Sequence, residues 1–391
     1  MQRKIVVLHF ARIVSKNDFV DSIVSNLDKG KFKVVVCTLR DEYITEPPQY
    51  EHEDVPHIIL NIKSEVSYLA IVRRLITIID EYKVDVLHTH LWHEALIGAF
   101  IKFWRPRVKF VIGRHYSDEM YLNNKGLRLK GMIWAETFHI YKSEKVIAAS
   151  TFVKNILLKQ GAPPEKIAYL TYGFNFSHPR YQPLSADEKK MIRYELGVKE
   201  TDVFFINVGR LYHLKGQDIL LKAFKKIVGQ NEGAKLIIVG GGPEEESLKK
   251  LSNELGLSEE VVFTGRRPDA YRLINASDVV VHPTYTELFS QLMIEAMAIG
   301  KLLIISRVSA VEDQIKNFDT GIIITPGSVD ELYDAMKFAV DNPQKREEMG
   351  RKARTYVLEN LNIEKVIKGY EALYTELVHQ SAGSKKQVAS K

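Results

Sequence analysis

The chain alternates between two kinds of hydrophobic pattern. Short continuous apolar runs, such as Ile5-Val-Val-Leu8 near the start, predict strands that are buried on both faces. Between them lie segments whose apolar residues recur at helical spacing, such as Phe19, Ile23 and Leu27. Buried strands separated by helices are typical of a parallel sheet with helices on both sides. The pattern therefore predicts an α/β fold.

The alternation occurs twice, with a break at residues 173–183. Predicted strands of the first series span residues 4–10, 31–39, 57–60, 84–89, 108–113, 145–149 and 167–172. The break contains Gly173, Pro179 and Pro183, after which the alternation restarts with a predicted strand at 203–208. We therefore predict two doubly wound domains in tandem, residues 1–175 and 176–362. Ligands of such sheets bind at the carboxyl ends of the strands, so we expect the site in the cleft between the domains.

Composition narrows the class of protein. Apolar residues make up 45% and charged residues 27% of the chain, as in ordinary globular proteins. The single cysteine, Cys37, cannot form an internal disulfide and favours the reducing cytoplasm. The first apolar run is too short for a signal peptide, and no run reaches the length that spans a bilayer. The sequence therefore predicts a cytoplasmic protein.

The net charge of +6 belongs to the first half of the chain. Residues 1–180 contain 26 Lys and Arg against 19 Asp and Glu, whereas residues 181–391 contain 29 against 30. A basic half is compatible with nucleic acid, with an anionic membrane or with solubility alone. The sequence has no motif that joins aromatic and basic residues for nucleic-acid binding, so we expect no nucleic acid partner.

Two carboxylates eight residues apart mark the candidate site. Glu287 follows a predicted strand at 279–281 and a loop, and Glu295 falls about two turns into the next predicted helix. Both should face one crevice, with the amides of the helix start between them. Ionised carboxylates accept hydrogen bonds from hydroxyls, and a helix N-terminus attracts phosphate. This combination suits a nucleotide-sugar.

Two cations follow the first strand of the second series. Arg210 and Lys215 come after the predicted strand 203–208, between Gly209 and Gly216. They would overhang the end of the strand, where Arg binds phosphate oxygens with two donors and Lys acts as a point charge. The alternative is that both are solvated surface cations.

Two weaker signals come from neighbouring strands. Gly240, Gly241 and Gly242 follow the predicted strand 235–239 and would let a ligand approach the backbone. A plain strand-to-helix turn is the alternative. Arg266, after a strand at 261–263, lies in a segment that would contact a base. The chain has no G-x-G-x-x-G fingerprint, so we expect neither a nicotinamide nor a flavin cofactor.

Histidines of the first series are candidates of another kind. His88 and His90 alternate along a predicted strand and therefore share one face, and His93 follows shortly after. These three resemble a metal cluster, but the sequence offers no well-placed further ligand, so histidines that line a strand end are the alternative. His115 follows the strand 108–113 and would point into the cleft, unless it is a loop histidine satisfied by its neighbours.

Three motifs of the second half, in this order and spacing, resemble the retaining glycosyltransferases of family 4, which have the GT-B architecture. They are Gly209-Arg210…Lys215-Gly216, Gly240-Gly-Gly-Pro243 and Glu287-x7-Glu295-Ala-Met-Ala-x-Gly300. The similarity covers residues 203–305 and extends to the segments 85–90 and 113–115. It implies two Rossmann-like domains, an acceptor on the first, a nucleotide-sugar donor on the second, and no cofactor or required metal. It also implies that a helix at 363–380 crosses back to the first domain. The polar composition of the last segment, 381–391, predicts a disordered tail.

The resemblance assigns roles to single residues. Arg210 and Lys215 would bind the diphosphate, Glu295 the ribose hydroxyls and Glu287 the hydroxyls of the donor sugar. His115 would contact that sugar from the first domain. The expected catalytic residues are Glu287, Arg210, Lys215 and His115. The expected donor-binding residues are Gly209, Arg210, Lys215, Gly241, Arg266, Glu287, Leu288, Phe289, Ser290 and Glu295.

Two positions depart from the family pattern. Ala11-Arg-Ile13 stands in the first loop, where the family often has a pair of glycines, and Leu288 stands where it often has glycine. The first departure concerns the acceptor side, and the second concerns the backbone that approaches the donor. Phe289 and Ser290 match the pattern.

The resemblance implies transfer of a sugar from a nucleoside diphosphate, with a UDP-sugar favoured, to a hydroxyl of a glycan or lipid-linked acceptor. The configuration would be retained, and the departing phosphate oxygen would take the acceptor proton. Such reactions serve cell-surface polysaccharide or glycolipid synthesis. A sugar-nucleotide epimerase on the same scaffold, a metal-dependent hydrolase using His88, His90 and His93, and a binding protein without catalysis are the alternatives.

Basic and apolar residues are mixed in two segments of the first half. They are residues 102–109 and 125–134, and they include Trp104, Lys125, Arg128 and Trp134. Such a surface would rest on the anionic inner face of a membrane. Ordinary helix amphipathicity is the alternative.

Overall fold

The computed structural model describes residues 3–14, 19–39, 54–61, 68–115, 124–230, 233–287, 289–308 and 311–388, the last eight by their backbone alone. The chain divides into two compact units. The first consists of Met1–Phe174 and Ile363–Lys391, and the second of Asn175–Asn362. Each unit contains one parallel sheet flanked by helices, which confirms the predicted α/β fold.

The first unit contains a seven-stranded sheet in the order β3-β2-β1-β4-β5-β6-β7. Its strands are β1 (Ile5–Ala11), β2 (Phe32–Thr38), β3 (His57–Ile59), β4 (Val86–His90), β5 (Lys109–Arg114), β6 (Lys145–Ala148) and β7 (Ile167–Tyr169). Its helices are α1 (Phe19–Asn26), α2 (Tyr68–Tyr82), α3 (Trp92–Trp104), α4 (Gly126–Lys142), α5 (Thr151–Lys159) and the C-terminal helix Ile363–Val388. The central strands β1, β4 and β5 are buried except at the first residues of β1 and β5, because helices cover both faces of the sheet.

The second unit contains a six-stranded sheet in the order β10-β9-β8-β11-β12-β13. Its strands are β8 (Val203–Val208), β9 (Ala234–Val239), β10 (Val261–Gly265), β11 (Val279–His282), β12 (Leu302–Ser306) and β13 (Ile322–Ile324). Its helices are α6 (Ala186–Glu195), α7 (Gln217–Val228), α8 (Glu245–Glu254), α9 (Ala270–Ala276), α10 (Gln291–Ile299), α11 (Val311–Gln314), α12 (Val329–Asp341) and α13 (Pro343–Asn360). The central strand β8 has β9 and β11 as neighbours, so the loops after these three strands lie side by side.

Several helices begin at a serine whose side chain caps a backbone amide. Ser150 accepts a hydrogen bond from the amide of Val153 at the start of α5, as its sequence position predicts. Ser185 and Glu188 form a reciprocal capping box at the start of α6. The predicted strand at 167–172 is shorter than expected, since β7 ends at Tyr169.

The C-terminal helix belongs to the first unit. Its first residue, Ile363, donates a backbone hydrogen bond of 3.0 Å to the carbonyl of Phe174. Further along, Tyr370 and Tyr374 are fully buried in the core that also contains β1, β4 and α1. The helix runs on to Val388, into the segment whose composition suggested a tail. Within the described part of the chain, every helix is too short or too polar to cross a bilayer.

Candidate active site

The glycine-rich turn after β9 packs against the loop after β8. A side chain on Gly240 would place its Cβ 1.8 Å from the carbonyl oxygen of Gly209, and Gly240 has a φ of 146°. A Cβ on Gly242 would lie 2.1 Å from the carbonyl oxygen of Leu211. Both glycines are therefore required by the contact between the two loops. Gly241 instead lies under the side chain of Arg266, whose Cγ and Nε would be 3.3 Å from a Cβ at that position.

The loops after β8 and β11 are joined by hydrogen bonds. The carbonyl of Leu214 accepts from the amide of Tyr285 at 2.8 Å and from the hydroxyl of Thr284 at 3.0 Å. Gly216 adopts the left-handed conformation, and a Cβ there would lie 2.1 Å from the carbonyl oxygen of Pro283. This close contact fixes the short helical turn that carries Lys215 against the loop that carries Glu287.

Lys215 and Glu287, two of the predicted site residues, are brought into direct contact. The ammonium nitrogen lies 2.6 Å from Oε2 of Glu287, and both side chains are about a quarter exposed, at 25% and 23%. Nε2 of His282, the last residue of β11, is 3.4 Å from the same oxygen. Burial acts to raise the pKa of Glu287, but the hydrogen bonds from His282 and Lys215 outweigh it and hold that pKa below its ordinary value. The carboxylate is therefore kept ionised.

Helix α10 begins later than the sequence suggests. Ser290 is its N-cap and accepts a hydrogen bond of 3.2 Å from the amide of Met293, so the first helical residue is Gln291. Glu295 is consequently about one turn into the helix, and the expectation of two turns was wrong. Phe289 directly precedes the cap, whereas Leu288 lies outside the described residues.

Glu295 has a partner that the sequence did not indicate. Its Oε1 lies 3.6 Å from a guanidinium nitrogen of Arg180 and accepts a hydrogen bond of 3.1 Å from the side-chain amide of Gln291. Burial raises the pKa of Glu295, although the charge of Arg180 and the hydrogen bond from Gln291 act in the opposite direction. Arg180 falls within the predicted break between the domains, where no motif or periodicity marks it.

Two further cations of the predicted set remain available for an anion. Arg210 and Arg266 are both exposed, and neither has an acidic partner within the described ranges. The guanidinium of Arg210 lies 5.7 Å from the ring centre of Tyr212. In contrast, the adjacent Arg267 is neutralised by Asp269 and Glu195. Arg210 follows β8 in the same loop as Lys215, whereas Arg266 follows β10 and lies over Gly241 in the turn after β9.

In the first unit, the imidazole of His115 faces inward. The residue is 8% exposed, and its Nδ1 lies 2.9 Å from the hydroxyl of Tyr172. The ring of Phe19 covers it, with the two ring centres 3.9 Å apart. Residue 115 therefore reaches the end of β5 as predicted, but its side chain points into the unit.

The predicted trio His88, His90 and His93 is not assembled. His93 lies apart, with its Nδ1 2.9 Å from the hydroxyl of Tyr68. His9 of β1 takes its place, since one nitrogen each of His9, His88 and His90 fall within 4.8 Å of one another. The sequence did not indicate His9, because its position beside His88 depends on the pairing of β1 with β4.

Both halves of the chain match family models. The model described as Glycosyltransferase Family 4 matches residues 18–177, and the model described as Glycosyl transferases group 1 matches residues 188–356. The two matches follow each other in the order of the two units and together cover most of the chain. The chain is a family 4 glycosyltransferase.

Relatives agree with this family, and a solved structure agrees with the fold. The glycosyltransferase is 26% identical over 345 residues, 87% of each chain, to N-acetyl-alpha-D-glucosaminyl L-malate synthase of Bacillus anthracis. It is 31% identical over 266 residues, 65% of each chain, to an uncharacterized glycosyltransferase of Methanocaldococcus jannaschii. Among solved structures, Anabaena HepE in complex with UDP matches with a TM-score of 0.81 at 20% identity, over 95% of this chain and 100% of that one. This match confirms the predicted GT-B architecture with two Rossmann-like domains.

Proposed function

We propose that this glycosyltransferase moves a sugar from a UDP-sugar to a hydroxyl of a glycan or lipid-linked acceptor, with retained configuration and without a metal. The observation that carries the proposal is the contact of 2.6 Å between Lys215 and Glu287, with the unpaired Arg210 in the same loop as Lys215. It combines a hydroxyl acceptor and phosphate-binding cations at neighbouring strand ends of one sheet. That is where an α/β sheet binds its ligand.

Each charged group has a task in the proposed reaction. The ionised Glu287 accepts hydrogen bonds from the donor sugar, and Glu295 accepts them from the ribose. Arg210 and Lys215 bind the diphosphate, whose negative charge grows as the bond to the sugar breaks. The departing phosphate oxygen takes the proton of the acceptor hydroxyl, so the reaction needs no separate general base. Cations in place of a metal then supply the charge stabilisation.

The choice of UDP is supported by a structural neighbour. HepE has been solved with UDP and with UDP-glucose, and the fold of its chain matches this one. In the present chain, Arg266 lies over Gly241, and the loop 265–267 follows β10, which pairs with β9, the neighbour of β8. We assign the base to this loop, which leaves Arg210 and Lys215 for the phosphates.

A lipid-linked acceptor is supported by an aromatic surface formed by α3 and α4. Phe103 and Trp134 both lie against Phe138, with ring centres 6.1 Å and 5.6 Å apart. Trp104 and Trp134 are nevertheless 66% and 68% exposed. An amphipathic helix would bury such rings in the core, so their exposure favours a contact with a membrane over plain amphipathicity.

The same surface carries cations. Lys142 lies 4.5 Å from the ring centre of Phe103. At the start of α4, Lys125, Arg128 and Lys130 are exposed and have no acidic partner in the described part of this unit. Each such cation adds about 1 kcal/mol of attraction to an anionic leaflet. The proposed site of action is accordingly the inner face of a membrane.

A donor screen tests the proposed reaction. Unfolding is monitored in EDTA with UDP-, GDP-, ADP- and dTDP-sugars, because a bound donor stabilises the fold by an amount set by its affinity, about 2.7 kcal/mol at a hundred times its Kd. We expect a UDP-sugar to give the largest shift. The anomeric configuration of the transferred sugar, read by NMR, then decides between retention and inversion. No shift with any of the four donors would contradict the proposal.

Two controls separate the alternatives. An epimerase isomerises the donor in the absence of an acceptor, so analysis of the donor after incubation alone identifies it. A metal-dependent hydrolase loses turnover in EDTA and regains it with added zinc. The proposed transferase does neither.

A further inference from the structure

Four histidines are buried side by side in the first unit. His9 of β1 pairs with His88 of β4, His90 lies two residues further along β4, and His115 follows β5. The first three have no exposed surface, and His115 is 8% exposed. Four inaccessible imidazoles in one place are unusual, because a buried polar ring must find hydrogen-bond partners inside the protein. The partners that each ring finds therefore indicate its role.

Three of the rings form a continuous hydrogen-bonded row. Nδ1 of His9 lies 3.0 Å from Nε2 of His90, and Nδ1 of His90 lies 3.2 Å from Nε2 of His115. The row ends at Tyr172, whose hydroxyl lies 2.9 Å from Nδ1 of His115. The ring centres of both histidine pairs are 5.3 Å apart, with their planes inclined by only 10° and 22°. The rings therefore meet end to end, nitrogen to nitrogen.

This geometry suits hydrogen bonds better than a metal. The donor set of three imidazoles would suit zinc, and one nitrogen of each of His9, His88 and His90 lies within 4.8 Å of the others. In a zinc site, however, the ligand nitrogens point at a common centre. Here the nitrogens of His9 and His90 point at each other across 3.0 Å. The row is therefore a chain of imidazoles.

The hydrogen bonds of this imidazole row couple the tautomers of its three histidines. Burial lowers the pKa of His9 and of His115 to about 3 and that of His90 well below its ordinary value, so the rings are neutral. A neutral imidazole has one N–H and one acceptor nitrogen. Each contact therefore needs a donor on one side and an acceptor on the other, and all three rings must carry their proton on the same kind of nitrogen.

The free end of the imidazole row, at His9, decides whether the protons lie on Nδ1 or on Nε2. Nε2 of His9 has no hydrogen-bond partner among the described residues. If the protons were on Nε2, this end would be a buried N–H without an acceptor. With the protons on Nδ1 it is only an unused acceptor, which buried groups tolerate better. His90 then donates to His115, and His115 donates to the oxygen of Tyr172.

We propose that His90, supported by His9, is a positioning residue that fixes the ring and the Nδ1-protonated tautomer of His115. The proposal rests on the proposed function for one point only, the contact with the donor sugar that the family resemblance implies for residue 115. An imidazole bonded at both nitrogens cannot rotate, so the backbone of residue 115 is held at the end of β5. His90 and His9 act through His115 and touch no substrate themselves.

Gly113 supports this assignment independently. A Cβ at this position would lie 2.2 Å from Nε2 of His115 and 3.1 Å from Nε2 of His88. Only glycine leaves room for the ring of His115 to reach His90. A Gly113→Ala variant should therefore break the imidazole row without removing a histidine.

Substitutions at His90 separate its two contacts. The side-chain amide nitrogen of Asn can occupy the position of a histidine Nδ1, which in His90 contacts His115. The amide nitrogen of Gln can occupy the position of Nε2, which in His90 contacts His9. His90→Asn should keep the bond to His115, whereas His90→Gln and His90→Phe should lose it. We expect His90→Asn to keep kcat within about threefold of wild type and the other two to lower it ~10²-fold, the scale of a small misplacement. The KM for the donor should stay unchanged in all three.

The decisive readout is NMR of protein labelled with nitrogen-15 histidine, with thermal unfolding as a check on the fold. In wild type, we expect His9, His90 and His115 to give the signals of a fixed Nδ1–H tautomer. In folded His90→Phe or Gly113→Ala, the signal of His115 should shift toward an average of the tautomers. An averaged His115 in wild type, an unchanged His115 in these variants, or equal kcat for His90→Asn and His90→Phe would overturn the proposal. The wild-type spectrum needs neither turnover nor variants, so a failure of the proposed function remains distinguishable.

Discussion

The ammonium nitrogen of Lys215 lies 2.6 Å from Oε2 of Glu287, although 72 residues separate them in the chain. The contact exists because β8 and β11 are neighbours and their following loops share hydrogen bonds through Leu214. The proposed cation for the phosphate and the proposed acceptor for the sugar are thus fixed at one place. In the ligand-free protein, each also neutralises the other.

Removal of Lys215 should reduce turnover far more than stability. Lys215→Ala removes one preorganised cation from the developing charge of the diphosphate, and we expect kcat to fall by ~10²–10³. Lys222→Ala is the matched control, because Lys222 lies on the adjacent helix α7 in an exposed pair with Asp218. Steady-state kinetics with the donor from the screen measures both. Equal kcat values for the two variants would contradict the assignment.

The ion pair should make stability depend on pH through Glu287. The folded-state pKa of this carboxyl lies below its ordinary value of 4.5, so the folded protein gains stability from its ionised form above that pH. The gain is lost as the pH falls through the folded-state pKa. We therefore expect wild type to be more stable than Glu287→Gln near neutrality, with the difference shrinking in the acid range below 4.5. Urea unfolding of both proteins across pH measures it, and a difference independent of pH would refute the expectation.

Glu295 should behave in the opposite way. Its pKa is raised, so its contribution to stability is present at low pH and lost as the pH rises through the folded-state value. Glu295→Gln cannot ionise, and we expect it to raise the Tm of the ligand-free protein near neutral pH and to bind the donor more weakly. A lower Tm at neutral pH would show that the pair with Arg180 outweighs the burial of the charge.

Gly240 should be far less tolerant of a side chain than Gly197, another glycine with positive φ. Gly240→Ala places a Cβ 1.8 Å from the carbonyl oxygen of Gly209, and we expect a loss of about 3 kcal/mol from overpacking and strain. Gly197→Ala meets no atom within 4 Å, so only the left-handed backbone opposes it, at about 1 kcal/mol. Chemical denaturation compares the two variants. Equal losses would mean that the loops relax apart.

Membrane binding should depend on the tryptophans of α3 and α4. With vesicles of phosphatidylglycerol at low salt, we expect Trp104→Ser/Trp134→Ser to bind at least about tenfold more weakly than wild type. Tyr194→Ser is the control, because Tyr194 is 87% exposed on a helix of the second unit. Salt should weaken the binding of wild type, since cations attract the vesicle. No binding of wild type at low salt, or equal binding of the double variant, would end the membrane proposal.

The fold was predictable because its main signal is local. Continuous apolar runs such as β11 read as buried strands, and the helical spacing of Phe19 and Ile23 predicted α1. The start of α10 was missed, although Ser290 is a preferred capping residue and would have placed Glu295 one turn into the helix.

The contacts within the site were less predictable, since they depend on strand order. Arg180 reaches Glu295 across 115 positions of the chain. His9 joins His88 and His90 because β1 lies next to β4, and the sequence suggested His93 instead. The inward direction of the His115 ring follows from Tyr172 and the other histidines, none of which is near it in sequence.

The most direct test of the account is a calorimetric titration in EDTA of the nucleoside diphosphate identified by the donor screen, compared with its free nucleoside. If Arg210 and Lys215 bind the diphosphate, wild type should bind the diphosphate at least ~10²-fold more tightly than the nucleoside, from two charge-assisted contacts. In Arg210→Ala/Lys215→Ala this preference should fall below about tenfold. Equal affinity of wild type for the two ligands, or a preference that survives in the double variant, would contradict the donor site proposed for this chain.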